Sequence, residues 1–286
     1  MRTRSIGSFT VGEIGLGGMP MSIEGRPGRA RSIATIHAAL DAGVTFIDTA
    51  DAYHRDADEV GHNESLIAEA LAGYGGESDG VLVATKGGHL RPGDGSWTLD
   101  GSPEYLKQAC EASLSRLGVE AIGLYQFHRP DPSVPYAESI GALRELLDAG
   151  KIRQAGISNA NARQIKQAKQ ILGEGLVSVQ NQFSPEFRSS EAELVLCDEL
   201  GLAFLPWSPF GGITRAGELG SRFAVFAEVA KAHEVSPQQV CLAWMLAKSP
   251  VLVPIPGSSR PETIRDSAAA AQLKLDEAEL LRLDAA

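Results

Sequence analysis

The chain has 286 residues, 26 Lys+Arg against 36 Asp+Glu, 43% hydrophobic residues and 15 prolines. That length and apolar content suit one large or two modest domains with a full-sized core, which excludes a disordered or fibrous chain. A formal net charge of -10 without any Lys/Arg-rich run repels polyanions, so the expected partners are small molecules and not nucleic acid.

Eight apolar runs of strand length follow one another: Glu13 to Gly17, Val44 to Ile47, Val81 to Ala84, Ile122 to Phe127, Gln154 to Ile157, Val177 to Val179, Ala203 to Leu205 and Val251 to Ile255. Between them lie patterns with apolar residues three and four apart, such as Ile33-Ile36-Leu40, Leu106-Cys110-Leu114-Leu117, Ile140-Leu143-Leu147 and Ile165-Ala168-Leu172. That spacing predicts amphipathic helices. Ser102-Pro103 and Ser236-Pro237 place an N-cap residue before a proline at the first helical position. Gly43, Gly118, Gly150, Gly173 and Gly201 each end a helical pattern and suit a left-handed C-cap. Leu-Asp-Ala-Gly occurs at 40–43 and again at 147–150, each time before a strand, as a repeated helix-turn-strand unit or by coincidence of helix-end composition.

Strand and helix alternate from end to end with no linker, so a single α/β domain over 1–286 is expected, and eight strands predict a (β/α)8 TIM barrel. A doubly wound dinucleotide-binding sheet normally carries G-x-G-x-x-G after its first strand. Gly15-Leu16-Gly17-Gly18-Met19 lacks that spacing. The apolar stretches are too short to span a membrane, and Met1-Arg2-Thr3-Arg4 is not followed by a signal-peptide core, so the expected compartment is the cytoplasm. Cys110, Cys197 and Cys241 are scattered within helical patterns and read as reduced, packed side chains.

Barrel enzymes build their sites at the C-terminal ends of the strands. The polar residues there are Asp48, Lys86, His128, Ser158-Asn159, Gln180 and Trp207-Ser208, and the eighth run leads into Pro256-Gly257-Ser258-Ser259; Tyr53 lies five residues beyond Asp48. Singly, Asp48 reads as a turn residue, Tyr53 as packing, Lys86 as a solvated loop charge and His128 as a loop histidine bonded to backbone. Together they form a proton-transfer set in which Asp48 holds Lys86, Lys86 brings the Tyr53 phenol towards working pH, and His128 orients a carbonyl oxygen.

The ordered phrases Phe46-Ile47-Asp48-Thr49-Ala50-Asp51-Ala52-Tyr53, Gly61-His62-Asn63-Glu64, Ala84-Thr85-Lys86, Leu124 to Asp131, Gly156-Ile157-Ser158-Asn159, Val179 to Phe183 and Pro206-Trp207-Ser208-Pro209 resemble the aldo-keto reductase family over nearly the whole chain. The resemblance implies a nicotinamide dinucleotide at the barrel mouth and a catalytic tetrad of Asp48, Tyr53, Lys86 and His128, reducing aldehydes or ketones with Tyr53 as proton donor. It further implies that Ser158, Asn159 and Gln180 bind the nicotinamide carboxamide and that Trp207 stacks on its ring, although Trp207 reads equally as core. By the same resemblance, Ser208, Pro209, Phe210, Gly211 and Gly212 run along the pyrophosphate, with Arg222 as a candidate cation. Gly257, Ser259, Arg260, Thr263, Asp266 and Ser267 resemble the adenosine-phosphate segment.

Here the chain departs from the family: Ser267 stands where many members have Asn, Thr263 where a longer polar residue is common and Gly257 where some place Lys. Arg260 suits a 2′-phosphate by charge, which favours NADP with NAD as the alternative; it also reads as a solvated helix-start arginine. The chain stops at Ala286 without a long final loop, so the expected mouth is open, walled by Met19 to Arg29, His54 to His62, Gly87 to Trp97 and Arg129 to Pro135. Such a mouth suits small or planar aldehydes, including aromatic or pyridoxal-like ones. Two rival readings are a metal-dependent hydrolase built on His54, Asp56, Asp58, Glu59, His62 and Glu64, whose spacing matches no ligand motif, and a non-catalytic cofactor sensor on the same fold.

Overall fold

A computed structural model describes all residues from Met1 to Ala286. The chain opens with an antiparallel hairpin, β1 (Thr3–Ile6) and β2 (Phe9–Gly12). There follow β3 (Leu16–Gly17), α1 (Arg29–Asp41), β4 (Phe46–Asp48), α2 (His62–Ala72) and β5 (Leu82–Gly87). A second small hairpin, β6 (His89–Leu90) and β7 (Thr98–Leu99), precedes α3 (Pro103–Leu117), β8 (Ile122–Phe127), α4 (Tyr136–Asp148) and β9 (Ile152–Ser158). The remainder is α5 (Ala162–Leu172), β10 (Leu176–Gln180), α6 (Glu191–Leu200), β11 (Ala203–Phe204), α7 (Leu219–Arg222), α8 (Ala224–His233), α9 (Pro237–Lys248), α10 (Pro261–Ala269) and α11 (Glu277–Asp284).

Seven parallel strands form one curled sheet in the order β11-β10-β9-β8-β5-β4-β3. The eighth expected strand, Val251 to Ile255, forms no regular ladder. Pro254 and Pro256 lack the N–H groups a ladder needs, so the segment is held by isolated parallel bridges, Phe204 to Leu252 on one edge and Gly17 to Gly257 on the other. Hydrogen bonds from Phe204 N to Val251 O, Val253 N to Phe204 O, Gly15 N to Pro254 O and Gly17 N to Pro256 O complete the seam. The result is a (β/α)8 fold closed on its eighth segment.

Several boundaries move. The first expected strand is regular only over Leu16–Gly17, with Gly15 adding a single bond to the seam, while Glu13 forms ion pairs with Arg2 and Arg4. The third extends three residues past Ala84 to Gly87, which carries Lys86 on the strand. All five helix-ending glycines adopt positive φ, from 58° at Gly173 to 83° at Gly43. Ser102 and Ser236 accept from the amides of Tyr105 and Gln239 as N-caps. Inside the barrel pack Phe46, Leu82, Leu124, Val253 and Ile255, closed from below by Ile6 and Val11 of the first hairpin.

The final helix is pinned through Trp244, buried in α9. Its ring stacks on Phe183 at 5.7 Å, its indole N–H donates to Asp284 Oδ1 at 2.6 Å, and the Arg188 and Lys248 cations lie over it. Trp244→Ala is therefore expected to destabilise the protein by about 3–5 kcal/mol, read as a lower urea midpoint.

Candidate active site

The ends of β4, β5 and β8 bring the four tetrad candidates together. Asp48 is the last residue of β4, Tyr53 lies in the turn after it, Lys86 is the next-to-last residue of β5, and His128 follows β8. The Lys86 ammonium is fully buried and all three of its N–H groups are used, on Asp48 Oδ2 at 2.7 Å, Thr49 O at 2.7 Å and Tyr53 Oη at 3.0 Å. Asp48 Oδ1 accepts from Gln180 Nε2 at 2.7 Å and Gln126 Nε2 at 3.2 Å. Gln126 was not singled out in the sequence, since it sits one residue before Phe127 within an apolar run.

Burial alone would lower the Lys86 pKa, but Asp48 and Tyr53 outweigh it and the net direction is up, so the ammonium persists. The Tyr53 phenol is pushed up by burial, pulled down by the Lys86 cation and pushed up again by Asp48, and the net direction is up. This corrects the expectation that Lys86 brings the phenol towards working pH: burial wins, and Tyr53 remains a protonated donor. His128 is driven well below the usual histidine range by burial, then by Lys86, His89 and Arg129, so its imidazole is neutral. Its Nδ1 is buried without a partner. The ring meets Tyr53 edge-on at 5.8 Å and His89 at 4.9 Å.

These residues border a cavity of about 590 Å³. Of the sequence candidates, Asp48, Tyr53, His128, Ser158, Asn159, Gln180, Trp207, Ser208, Pro209, Phe210 and Gly257 line it. Lys86 sits behind Tyr53, and Gly211, Ser259, Arg260, Thr263, Asp266 and Ser267 lie off the lining. Ser158 Oγ donates to Gln180 O, while the Asn159 amide donates to His128 O and Ser158 Oγ. Asn159 and Ser208 hold left-handed φ of 56° and 52°, an uncommon conformation for a side-chain-bearing residue. Gln180 spends its N–H groups on Asp48 and Gln126, so it braces the ion pair in addition to facing the cavity.

Arg222 pairs with Glu186 beside Gly211, and Glu186 also binds Arg215 at 2.8 Å. Arg260 is exposed with Glu262 Oε1 3.8 Å away. Thr263 Oγ1 donates to Arg260 O, and Asp266 caps the start of α9 by accepting from Ser236 Oγ and Gln239 Nε2, each at 2.6 Å. Gly257 bridges to Gly17 of β3, and a Cβ there would meet Pro20 Cγ, in the turn after β3, at 2.9 Å.

The wall differs from expectation in one element. Met19, Pro20, His89, Trp97 and Arg129 line the cavity from three of the four expected loops, but no residue of His54 to His62 does. That segment is tied down elsewhere: Arg91 Nη1 donates to His54 O, and Glu59 receives two hydrogen bonds from Arg26. Phe210, Gly212, Ile213 and Ala216, from the segment after β11, also line the cavity. Sequence reasoning also passed over His89, whose signal was only its place three residues beyond Lys86; burial, Arg129 and Lys86 lower its pKa to about 4. The candidate metal residues go to separate partners, His62 to Ser22, Glu59 to Arg26 and Glu64 to Arg116 and Thr85, and nowhere do three His, Cys, Asp or Glu residues converge as metal ligands.

Asp51 lies under the site, fully buried, with Oδ2 accepting from Tyr105 Oη at 3.1 Å and Oδ1 without a partner. Burial, then the Glu64 carboxylate, raise it to about 7 against the pull of Tyr105 and Arg116. Native Asp51 therefore keeps its proton where the unfolded chain has lost it. The associated stability is present below the ordinary carboxylate range and is lost as pH rises to about 7. Asp51→Asn is expected to flatten the pH dependence of the urea midpoint between about pH 4 and 7.

The aldo/keto reductase family model matches residues 13–286. An uncharacterized oxidoreductase of Schizosaccharomyces pombe is 34% identical over 286 residues, covering 99% of this chain and 89% of that one. The 6-dehydroglucose reductase of Novosphingobium aromaticivorans is 36% identical, covering 84% of this chain and 80% of its own. The crystal structure of an aldo/keto reductase from Klebsiella pneumoniae in complex with NADP and acetate superposes with a TM-score of 0.82 at 26% identity, over 99% of this chain and 94% of that one. No helix is long and apolar enough to cross a membrane.

Proposed function

The chain belongs to the aldo/keto reductase family, and from that premise we propose that residues 1–286 act as one cytoplasmic, NADP-dependent reductase of aldehydes or ketones, with Tyr53 as proton donor. The observation that carries the reading is the fully satisfied Lys86 ammonium set 3.0 Å from the Tyr53 hydroxyl at the wall of the cavity.

The residues fit a nicotinamide dinucleotide. Trp207 offers a ring face and an indole N–H without a partner, Ser158 and Asn159 offer hydroxyl and amide groups, and the 208–212 turn with Gly257 offers backbone at close approach. Ser158 and Asn159 would hold the carboxamide, Trp207 the ring, Ser208 to Gly212 the pyrophosphate and Ser259 to Ser267 the adenosine end. When bound, the cofactor supplies a hydride to the carbonyl carbon. Tyr53 gives its proton to the carbonyl oxygen as negative charge develops there. The phenolate left behind is stabilised by Lys86, whose own charge is fixed by Asp48. Neutral His128 places a ring N–H against the same oxygen. The NADP-bound crystal structure of the similar Klebsiella pneumoniae reductase and the presence of all four tetrad residues favour this reading over a sensor.

Tyr53→Phe is expected to keep cofactor affinity while lowering the rate of aldehyde reduction roughly 10²- to 10⁴-fold, followed by single-turnover oxidation of NADPH. Retention of nearly full rate would remove Tyr53 from the proton-donor role.

For cofactor choice, Arg260 would exchange Glu262 for a 2′-phosphate. Arg260→Ala is expected to weaken NADPH about tenfold with little effect on NADH, measured by fluorescence titration of both. Equal losses would move the role to Arg265.

A further inference from the structure

Arginines in this chain divide cleanly. Those at least partly shielded from solvent, Arg4, Arg26, Arg91, Arg116, Arg188 and Arg222, each pair with a carboxylate, and those without a carboxylate, Arg31, Arg153, Arg163 and Arg265, are exposed. Arg129 alone is both shielded and without one. It lines the cavity directly after His128; its sole side-chain hydrogen bond runs from Nη2 to the neutral Asn159 Oδ1 at 3.2 Å, and its Nε is buried with no partner. In a chain of net charge -10 an uncompensated guanidinium is not explained by a shortage of acids. The acid closest in sequence, Asp131, is already engaged by the amides of Gly101 and Ser133.

The charges around it do not cancel it. Lys86 is neutralised by Asp48, and His128 and His89 are neutral and feel the Arg129 charge. Burial alone pulls the Arg129 pKa down, as for a cation waiting for its anion. The cavity lining thus carries one positive charge without a carboxylate, directly after His128.

We propose that Arg129 is a specificity-determining residue that binds an anionic group, the carboxylate of an oxo-acid substrate whose carbonyl lies at Tyr53 and His128. This rests on the reductase reading above. A guanidinium at that place favours a substrate carboxylate by a charge-assisted hydrogen bond and leaves a neutral aldehyde with nothing to pair. A cofactor phosphate is the other source of anion, but the segments proposed to hold phosphates, Ser208 to Gly212 and Ser259 to Ser267, follow β11 and the eighth segment, whereas Arg129 follows β8, and the test below separates the two sources.

The test compares wild type with Arg129→Met and Arg129→Lys on succinic semialdehyde against butanal and on 2-carboxybenzaldehyde against benzaldehyde, with NADPH affinity titrated in parallel. The expected result is a loss of about 10- to 100-fold in kcat/KM confined to the carboxylated members, carried mainly by KM, with NADPH affinity unchanged and partial recovery in the lysine variant. In wild type, KM for the carboxylated aldehydes should rise with salt while that for butanal stays level, a readout that needs no variant to fold. Equal losses for neutral and charged aldehydes together with weaker NADPH would assign Arg129 to the cofactor, and no loss with either pair would overturn the proposal. Failure of wild type to reduce any of the four would instead overturn the reductase reading, and binding of benzoate, followed by calorimetry in wild type and variant, would still decide the anion site.

Discussion

The arrangement depends on one ion pair placed out of reach of water. Burying an ammonium and a carboxylate costs several kcal/mol per ion unless every donor and lone pair finds a partner. Here three acceptors meet the three N–H groups of Lys86, and two glutamine amides meet the second oxygen of Asp48. Those partners come from β4, β5, β8 and β10, so the pair is satisfied only when four strands stand in register. Breaking it from either side leaves an uncompensated buried charge. The barrel and the tetrad are therefore one cooperative object, and the position of the Tyr53 hydroxyl follows from the geometry of the sheet.

Legibility in the sequence followed the length scale of each interaction. Strand ends and helix caps are local, and Ser102, Ser236 and the five C-cap glycines were readable because a few neighbouring residues decide them. Asp48, Tyr53, Lys86 and His128 were readable as polar residues at the ends of apolar runs. Gln126, His89 and Arg129 were passed over as site residues because their roles are set by what lies across the barrel. The same applies to the acidity of Tyr53, where placement at the ends of consecutive strands suggested the Lys86 cation but not how completely the phenol is buried. In Val251 to Ile255 the apolar pattern was right and the ladder absent, because prolines satisfy the pattern while withholding donors.

Electrostatically the molecule works against its own average. A surface in excess of acid surrounds an inner cavity wall where imidazoles are held neutral by burial and one guanidinium stands unpaired. Local burial sets protonation more strongly here than the distant surface charge, which salt screens beyond about 10 Å. A neutral His128 beside a protonated Tyr53 gives two hydrogen-bond donors without a charge to attract bulk anions, and leaves discrimination to the cation beside them.

The seam made by the proline-containing eighth segment has a consequence for biosynthesis. The first strand joins Gly17 to Gly257, and Arg4 reaches the carbonyls of Leu246, Ser249 and Leu252, contacts that span more than four-fifths of the chain. As the polypeptide leaves the ribosome, β3 can pair with β4 early but must wait with its outer edge bare until residues beyond 250 emerge. Contacts of such long sequence separation form late and slowly. A nascent chain halted before that point carries an open, apolar strand edge, so the emerging half-barrel is the stage at which a chaperone or a second nascent copy would find something to hold.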